Sequence, residues 1–347
     1  MSCADDRPEF PHLGQLWDSL RMNMPVAVFV DQFRPVNGFL VREHDPGPPA
    51  PNEIRIAIKA VGISYADVLI IKGQYQVRPD LPFIPGTECA GIVEAVGSEI
   101  VGLSEGDYVT GHGWCGMCAE VANLPAHWFR KMPSTLSFEQ AAVLSVSFAT
   151  ALYALVNRGS LGSDETLLVL GAGGATGHAA VQIGRHLGAH VIASASTPEK
   201  RDLALAGGAS AVISSQSSTW REDVRAANNG RPVDVVFDPV GGEATEPAFR
   251  SLSWSGRHLV IGFTAGIASV RTNLPLLKGA SLIGVDIRQF GIFEPATAEA
   301  NLNEVFDLAQ QGVLRPAIAR TYALKDFAVA LDDVAKGESA GRIVLTM

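Results

Sequence analysis

The sequence predicts an α/β fold in which a doubly wound parallel sheet is inserted in a mostly β unit. Between residues 134 and 288, six short apolar segments alternate with helical patterns, which is typical of a parallel sheet with helices on both faces. From residue 24 to about residue 130, period-two apolar spacing and glycine turns indicate short strands instead. Beyond residue 288 a long helical pattern leads to strand-like segments and the closing GRIVLTM. We expect that tail to rejoin the first unit.

The stretch TLLVLGAGGATGHAAVQIGRHLGAHVIASAS, from Thr166 to Ser196, organises the parallel sheet. Gly174 and Gly177 keep the spacing of the last two glycines of G-x-G-x-x-G, and Ala172 holds the first position. Such glycines let the backbone approach a pyrophosphate, and the following helix directs its amides and positive dipole end at the anion. This strand, turn, helix and strand predicts a Rossmann dinucleotide-binding domain; an ordinary strand-to-helix turn is the alternative.

These pattern changes divide the chain into an N-terminal extension over 1–23, a β domain over 24–133 and 289–347, and a Rossmann domain over 134–288. In the extension, the segment from Leu13 to Met22 has apolar residues at helical spacing. We expect a short surface helix there, with docking on the body or on a partner subunit as the alternative.

Length and charge limit the classes of function. A chain of 347 residues exceeds one typical domain, and 47% hydrophobic residues are ample for two cores. The formal net charge of -9 argues against nucleic acid as the main partner, since phosphate backbones attract basic surfaces. A small-molecule substrate is the better prediction, although a local basic pocket remains compatible with this composition.

Cysteine usage and the terminal sequence predict a cytoplasmic protein. The four cysteines are too few and too unevenly placed for a disulfide framework, which favours a reducing compartment. The N-terminus contains acidic residues and no apolar core, unlike a secretory signal. The longest uncharged apolar stretch, from Gln140 to Asn157, is shorter than the roughly 20 residues of a membrane span. We therefore expect a buried helix there and no membrane association.

Four separated segments carry a family likeness: GISYADVLIIKGQYQVRPDLPFIPGTECAGIVEAVG, LLVLGAGGATGHAAVQIGRHLGA, DVVFDPVGGEA and GRIVLTM. In this order they resemble the zinc-free quinone oxidoreductase (zeta-crystallin-like) branch of the medium-chain dehydrogenase/reductase superfamily. The resemblance covers essentially Met24 to Met347. It implies a GroES-like substrate domain, built from both chain ends around the central Rossmann domain, with the active site in the cleft between them.

The positions of the zinc ligands in the zinc-dependent relatives argue against a metal. Where those relatives carry a cysteine and a histidine, this sequence has Ser64 and Thr87, and neither offers a thiolate or imidazole ligand. Cys115 and Cys118 have CxxC spacing without a second pair, and two ordinary loop cysteines are the favoured interpretation. A structural zinc or a redox pair remains the alternative.

The end of the second Rossmann strand indicates the type of cofactor. NAD enzymes usually place a carboxylate there to bind the ribose diol, but this sequence has small residues up to Glu199. Small hydroxyls leave room for a 2′-phosphate, with which Lys200 can pair, so we predict NADPH; a solvated helix lysine is the alternative. Ser214 and Ser215 stand where the family often has a tyrosine near the adenine. The predicted dinucleotide contacts are Gly173, Gly174, Ala175, Thr176, Ser194, Ser196 and Lys200.

The resemblance also assigns the nicotinamide end of the cleft. It implies that Thr150, Gly262 and Phe263 lie against the nicotinamide ring or its carboxamide, beyond the carboxyl ends of the strands. Phe263 could equally be a loop-packing aromatic residue.

Hydride transfer to a quinone or an activated alkene, such as an enone or enoyl thioester, requires no metal. Tyr75 matches a tyrosine proposed as the proton donor in related enoyl-thioester reductases, with water as the equal alternative. Ser64 stands at an asparagine position of many quinone reductases and keeps hydrogen-bonding capacity. We predict an NADPH-dependent reductase with Tyr75 and Ser64 as catalytic residues. The rival is an NADPH-binding structural or sensing module with little turnover.

A homodimer is also predicted. The last Rossmann strand, in ASLIGVDI, is apolar and would lie at a sheet edge, which proteins rarely leave bare.

Overall fold

The computed structural model describes residues 24–33 and 39–347. The predicted extension over 1–23, including the helix expected from Leu13 to Met22, lies outside the described residues. Within the described ranges no helix has the length and apolar character needed to cross a bilayer.

The first part of the chain forms short strands, as its period-two pattern predicts. Its elements are β1 (Val26–Phe29), β2 (Leu40–Glu43), β3 (Glu53–Ile63), α1 (Tyr65–Ile71), β4 (Glu88–Val96), β5 (Tyr108–His112), β6 (Val121–Pro125), a 3-10 turn (Ala126–Trp128) and β7 (Phe129–Lys131). Alternate residues of β3 are buried along its first half, which explains why isoleucine occupies every second position there.

Strands and helices then alternate. The elements are α2 (Phe138–Ala141), α3 (Ser145–Leu152), a π-helix (Tyr153–Arg158), β8 (Thr166–Leu170), α4 (Ala175–His186), β9 (His190–Ala195), α5 (Pro198–Ala206), β10 (Ala211–Ser214), α6 (Trp220–Ala227), β11 (Val233–Asp238), a 3-10 turn (Gly242–Ala244), α7 (Thr245–Arg250), β12 (Leu252–Val260), α8 (Asn273–Lys278), β13 (Ser281–Gly284) and α9 (Ile287–Phe293).

The tail contributes α10 (Pro295–Gln310), β14 (Ile318–Ala323), a 3-10 turn (Leu324–Asp326), α11 (Phe327–Lys336) and β15 (Arg342–Thr346). Strand β15 pairs antiparallel with β3, with Val344 opposite Gly62. The closing GRIVLTM therefore returns to the first domain.

Two large sheets define the domains. The β domain holds a seven-stranded sheet in the order β14-β15-β3-β4-β5-β7, with β6 pairing on β3. The Rossmann domain holds six parallel strands in the order β10-β9-β8-β11-β12-β13. This is the doubly wound order, and its direction reverses between β8 and β11. The predicted fold class, a Rossmann sheet with a separate mostly β domain of the GroES type, is confirmed.

One apolar cluster extends from the parallel sheet into the helices around it. Leu167, Val169 and Val235 of the sheet are fully buried in the same cluster as Val305 and Leu308 of α10. The predicted domain boundaries at 133/134 and 288/289 stay predictions. Helix α10 follows the second boundary in the chain, yet it packs on α3 and shares the apolar cluster of the parallel sheet.

The apolar stretch from Gln140 to Asn157 forms α2, α3 and most of the π-helix, and its central residues are buried. Tyr153 begins the π-helical segment and stacks on Phe290 of α9, with ring centroids 3.8 Å apart and planes 10° apart. A π-helical segment is rare and occurs often at functional sites. Here it continues α3, and its Tyr153 packs on the segment that follows β13.

Candidate active site

The glycine-rich turn lies between β8 and α4, at the carboxyl edge of the parallel sheet. Gly171 has a φ of 59°, which favours glycine. A Cβ at Gly177 would lie 2.3 Å from the Gly171 carbonyl oxygen, so only glycine lets α4 pack this closely on the turn. The spacing recognised in the sequence thus reflects close helix-to-strand packing.

The first turn of α4 has no side-chain cap. Gly174 is the N-cap residue, with φ -88° and ψ 175°, and offers no side-chain acceptor to the first amides of the helix. The amides of Ala175 and Thr176 belong to this first turn, where helices leave backbone donors for an external acceptor. An uncapped helix start behind a glycine turn fits a pyrophosphate. The carbonyl of Gly173 accepts a 3.1 Å hydrogen bond from the Gly341 amide of the tail.

The two predicted serines at the end of β9 differ in their surroundings. Ser194 is 1% exposed, and its hydroxyl accepts a 2.9 Å hydrogen bond from the indole of Trp220. Ser196 is half-buried. Its carbonyl and that of Ala195 accept hydrogen bonds from the Arg201 guanidinium, at 3.3 and 3.2 Å. Ser196 and Arg201 therefore lie at the rim where a ribose would sit, whereas the Ser194 hydroxyl is used inside the domain.

Lys200 crosses the glycine-rich turn. A Cβ on Gly173 would lie 2.5 Å from the Cβ and Cγ of Lys200, so the lysine stem rests on the bare backbone of Gly173. Its ammonium donates a 2.6 Å hydrogen bond to the carbonyl of Gly337, at the end of α11. Burial lowers the pKa of Lys200, opposed by the charge of Glu338. This lysine is a contact between the two domains.

The residues predicted at the nicotinamide end come from three elements. Thr150 of α3 is 6% exposed, and its hydroxyl donates to the Val146 carbonyl at 2.7 Å. A Cβ on Gly262 would lie 3.0 Å from the Pro239 carbonyl oxygen, so the loops after β11 and β12 approach closely. Phe263 follows with 49% of its surface exposed. About half of this residue is therefore open to solvent.

Asp238, at the end of β11, holds the loop beside the nicotinamide end. Its Oδ1 accepts from the amides of Val240 and Gly241, both at 2.9 Å. Its Oδ2 accepts from Thr245 at 2.6 Å and contacts Nε2 of the buried His258 at 3.0 Å. Burial opposes ionisation, yet these hydrogen bonds hold the pKa of Asp238 below its usual range. Sequence reasoning did not assign this network, because His258 lies 20 residues from Asp238 and shows no local pattern.

Tyr75 follows helix α1 in the β domain. It is half-buried against the apolar cluster of the β domain, and the charges of Asp286 and Arg288, which follow the last Rossmann strand, act on its phenol. Burial raises the pKa of Tyr75, and Asp286 raises it further. The phenol is therefore protonated at neutral pH, as a proton donor must be.

Ser64 is the N-cap of α1, and its hydroxyl is engaged. Its Oγ donates to Oδ2 of Asp67 at 2.7 Å, and its amide donates to the same oxygen at 2.8 Å. Asp67 is 1% exposed, its Oδ1 has no hydrogen-bond partner, and burial raises the pKa of its carboxyl. The hydroxyl hydrogen of Ser64 is thus used within the helix cap. Towards the cleft, Ser64 can act only as a hydrogen-bond acceptor, through a lone pair of Oγ.

A buried ion pair joins the tail to both domains. The Arg342 guanidinium donates to Oε2 of Glu88 at 3.0 Å and to Oγ of Ser147 at 2.8 Å. Oε1 of Glu88 accepts the Val146 amide, in the first turn of α3, at 2.8 Å. This pair was not assigned from the sequence. The segment PGTE shows a carboxylate at Glu88 that needs a partner if it is buried, but only the fold identifies Arg342 as that partner.

The structure gives no metal cluster within its described part, where no group of three or more His, Cys, Asp or Glu residues could hold an ion. The two positions compared with zinc ligands are Ser64 and Thr87. Cys89, Cys115 and Cys118 are free thiols. Burial raises the pKa of Cys118 well above its usual range, which keeps this thiol protonated and unreactive.

Comparison with known proteins identifies the family. Residues 50–150 match the family model described as Alcohol dehydrogenase GroES-like domain, and residues 175–303 match that described as Zinc-binding dehydrogenase. A quinone oxidoreductase-like protein 2 of Bos taurus is 34% identical over 335 residues, which cover 95% of each chain. The chain belongs to the medium-chain dehydrogenase/reductase superfamily, in its quinone oxidoreductase branch. The predicted membership is confirmed.

Two further similarities place this member of the superfamily. A mycocerosic acid synthase-like polyketide synthase of Mycobacterium tuberculosis is 32% identical over 299 residues, which cover 86% of this chain and 14% of that protein. The solved structure of an Escherichia coli quinone oxidoreductase complexed with NADPH has a TM-score of 0.84 and 29% identity, and the match covers 93% of this chain and all of the other. As a family member the chain is an oxidoreductase, and its Rossmann domain offers the dinucleotide site.

Proposed function

We propose that this chain is a metal-independent reductase that uses NADPH to reduce a quinone or an activated alkene. One observation carries the proposal: an uncapped helix start follows the glycine turn, and two cationic residues, Lys200 and Arg201, stand in the region where NAD enzymes place a carboxylate. The Escherichia coli quinone oxidoreductase with 29% identity was solved with NADPH, which supports the cofactor.

The dinucleotide fits these residues. The pyrophosphate would accept hydrogen bonds from the first amides of α4, at Ala175 and Thr176, and the bare backbone of Gly173 and Gly174 admits it at close range. At the ribose rim, Ser196, Lys200 and Arg201 offer a hydroxyl and two positive charges to a 2′-phosphate. Ser194 supports that rim from inside through Trp220 rather than by direct contact.

The substrate would lie opposite Thr150, Gly262 and Phe263. When bound there, NADPH supplies a hydride. The chain's own residues orient the acceptor, exclude water through Phe263, and deliver a proton. We assign this delivery to Tyr75, because burial raises its pKa, so that its phenol keeps its proton at neutral pH, and because charges of the segment after β13 act on it. The lone pair of Ser64 can accept a hydrogen bond from a reduced acceptor.

Two acceptor classes suit this chemistry. The relatives are named as quinone oxidoreductase-like protein and as polyketide synthase. A quinone takes its hydride on a conjugated system whose oxygens can be protonated by water, whereas an enone or enoyl thioester must be protonated at carbon. The alkene is therefore the acceptor that depends on a positioned donor such as Tyr75.

A panel of acceptors tests the proposal. NADPH oxidation is followed with quinones, short enones and enoyl thioesters, using wild type, Tyr75→Phe and, as a matched control, Tyr65→Phe at an exposed helix position. We expect turnover of at least one class, with alkene turnover reduced about 100-fold or more by Tyr75→Phe and quinone turnover unchanged. Equal loss for both classes, or none for either, would contradict the role of Tyr75.

One observation favours a second candidate, a module that binds NADPH with little turnover. The hydroxyl hydrogen of Ser64 is donated to Asp67 rather than towards the cleft. Tight NADPH binding without turnover across the whole panel would select this candidate over the reductase.

We also propose that the chain is a homodimer. Strand β13 forms an edge of the parallel sheet, and its Leu282 is 48% exposed. Trp254 of the neighbouring strand β12 and Leu276 and Leu277 of helix α8 are 75%, 78% and 68% exposed. Pairing of β13 with its counterpart in a second copy would continue the sheet and cover these side chains.

A further inference from the structure

The carboxyl end of α11 reaches over the cofactor turn from the β domain. Gly337 ends this helix with a φ of 64°, and its carbonyl accepts the 2.6 Å hydrogen bond from the Lys200 ammonium. A cation is favoured at a helix C-terminus, where the backbone carbonyls are unsatisfied. Four residues on, the Gly341 amide donates to the Gly173 carbonyl at 3.1 Å. Residues 337–341 are therefore tied to the turn at two points.

Glu338 stands next to the acceptor of this contact. It follows Gly337 directly, is exposed, and its negative charge acts on the Lys200 ammonium. The stem of Lys200 cannot retreat from the turn, because it rests on Gly173. To pair with a 2′-phosphate at the ribose rim, the ammonium has to give up its hydrogen bond to the Gly337 carbonyl.

We propose that Glu338 is a specificity-determining residue: its charge, next to Gly337, favours the interdomain contact between Lys200 and the Gly337 carbonyl, which the 2′-phosphate of NADPH has to replace. The inference rests on the proposed function. A 2′-phosphate brings up to two negative charges, which compete with the Gly337 carbonyl and the Glu338 carboxylate for the same Lys200 ammonium. NADH carries no such group and leaves the Lys200 contact in place. Glu338 therefore weakens NADPH binding without affecting NADH.

Dissociation constants for NADPH and NADH, measured by titration at low ionic strength, test this. Glu338→Gln should bind NADPH about two- to five-fold more tightly, as expected for one partly exposed charge pair, with NADH unchanged. Lys200→Met should weaken NADPH about ten-fold or more and leave NADH unchanged. In the double variant the effect of Glu338→Gln should vanish. Asp332→Asn removes an exposed charge from the same helix, where it pairs with Lys336, and should change neither constant.

Two results overturn the inference while the proposed function stands: NADPH preference that requires Lys200 but is unchanged by Glu338→Gln, or a Glu338→Gln effect that persists in the Lys200→Met background. A wild-type chain that binds neither cofactor overturns the proposed function itself. The Glu338→Gln and Lys200→Met variants each change one side chain at the domain surface, and unchanged NADH binding verifies that both are folded.

Discussion

Arg342 and Glu88 form a buried ion pair across 254 positions of the chain, with the Arg342 Nη2 to Glu88 Oε2 distance at 3.0 Å. Only 7% of the arginine side chain and 2% of the glutamate side chain are exposed. Through Ser147 and the Val146 amide, the pair also fixes the start of α3, the helix that carries Thr150. One network of contacts therefore links the closing strand, the β domain and the helix that carries Thr150.

Removing the arginine should destabilise the whole chain. In Arg342→Met the Glu88 carboxylate remains buried without its counter-ion, and breaking such a pair typically costs about 3–5 kcal/mol of the free energy of unfolding. Urea unfolding monitored by tryptophan fluorescence measures the change. Lys336→Met, which removes the exposed partner of the equally exposed Asp332 in the same tail, is the matched control and should change the midpoint little. Equal effects of the two variants would show that the buried pair has no special weight.

The buried His178 predicts a loss of stability in mild acid. Burial lowers the pKa of His178 from its ordinary value of 6.5 to about 4, so between these pH values the unfolded chain binds a proton more readily than the folded one. The contribution is complete above about pH 6.5 and is lost as the pH falls towards 4, by at most about 3 kcal/mol. Urea unfolding of wild type and His178→Gln at about pH 7.5, above this range, and at about pH 5, within it, measures part of this loss.

In His178→Gln the difference between the two pH values should shrink, while His186→Gln, at an exposed position of the same helix, should leave it as in wild type. A pH dependence that is identical in all three proteins would contradict the assignment to His178.

Gly177, the last glycine of the turn, should not tolerate a methyl group. In Gly177→Ala the new Cβ would lie 2.3 Å from the carbonyl oxygen of Gly171. This is a backbone atom, so a side-chain rotation cannot relieve the clash. We expect a loss of about 1–3 kcal/mol in the free energy of unfolding, as for overpacking. Gly291→Ala, also within a helix but with nothing within 4 Å of its Cβ, should be neutral or stabilising because alanine favours helix. A thermal melt of the two variants decides; comparable melting temperatures would mean that the turn relaxes freely.

The dimer proposal makes a separate prediction. Leu282→Lys places a charge on the exposed edge strand β13 and should convert the dimer to a monomer at micromolar concentration. Size-exclusion chromatography with light scattering reads the mass directly. Val329→Lys, on the exposed face of α11, should remain dimeric like wild type. A monomeric wild type at this concentration would reject the dimer.

The order of elements was predictable because each local pattern agreed with the fold. Alternation of apolar strands and helices predicted the six-stranded parallel sheet, and GAGGATG predicted the turn where Gly177 packs on Gly171. Both depend on neighbours within a few residues. The return of GRIVLTM to the first domain was an expectation of pattern and resemblance, and the pairing of Val344 with Gly62 confirms it.

The partners of single polar side chains were not predictable, since they come from distant parts of the chain. Ser194 shows this most clearly: the sequence places a hydroxyl at the ribose rim, but Trp220, 26 residues later, turns it inward. The sequence likewise assigns Lys200 to a phosphate, while the fold adds a competing carbonyl from Gly337. In each case the spacing identifies the backbone position, and the tertiary neighbours decide where the side chain is used.

Metal-independent, NADPH-dependent reduction is tested most directly by kcat/KM. It is measured for NADPH and for NADH with the best acceptor, with and without a chelator. We expect that kcat/KM is about ten-fold or more higher for NADPH than for NADH, that this preference falls in Lys200→Met, and that the chelator changes neither value. Preference for NADH, or activity that is lost with the chelator and restored by zinc, would contradict it.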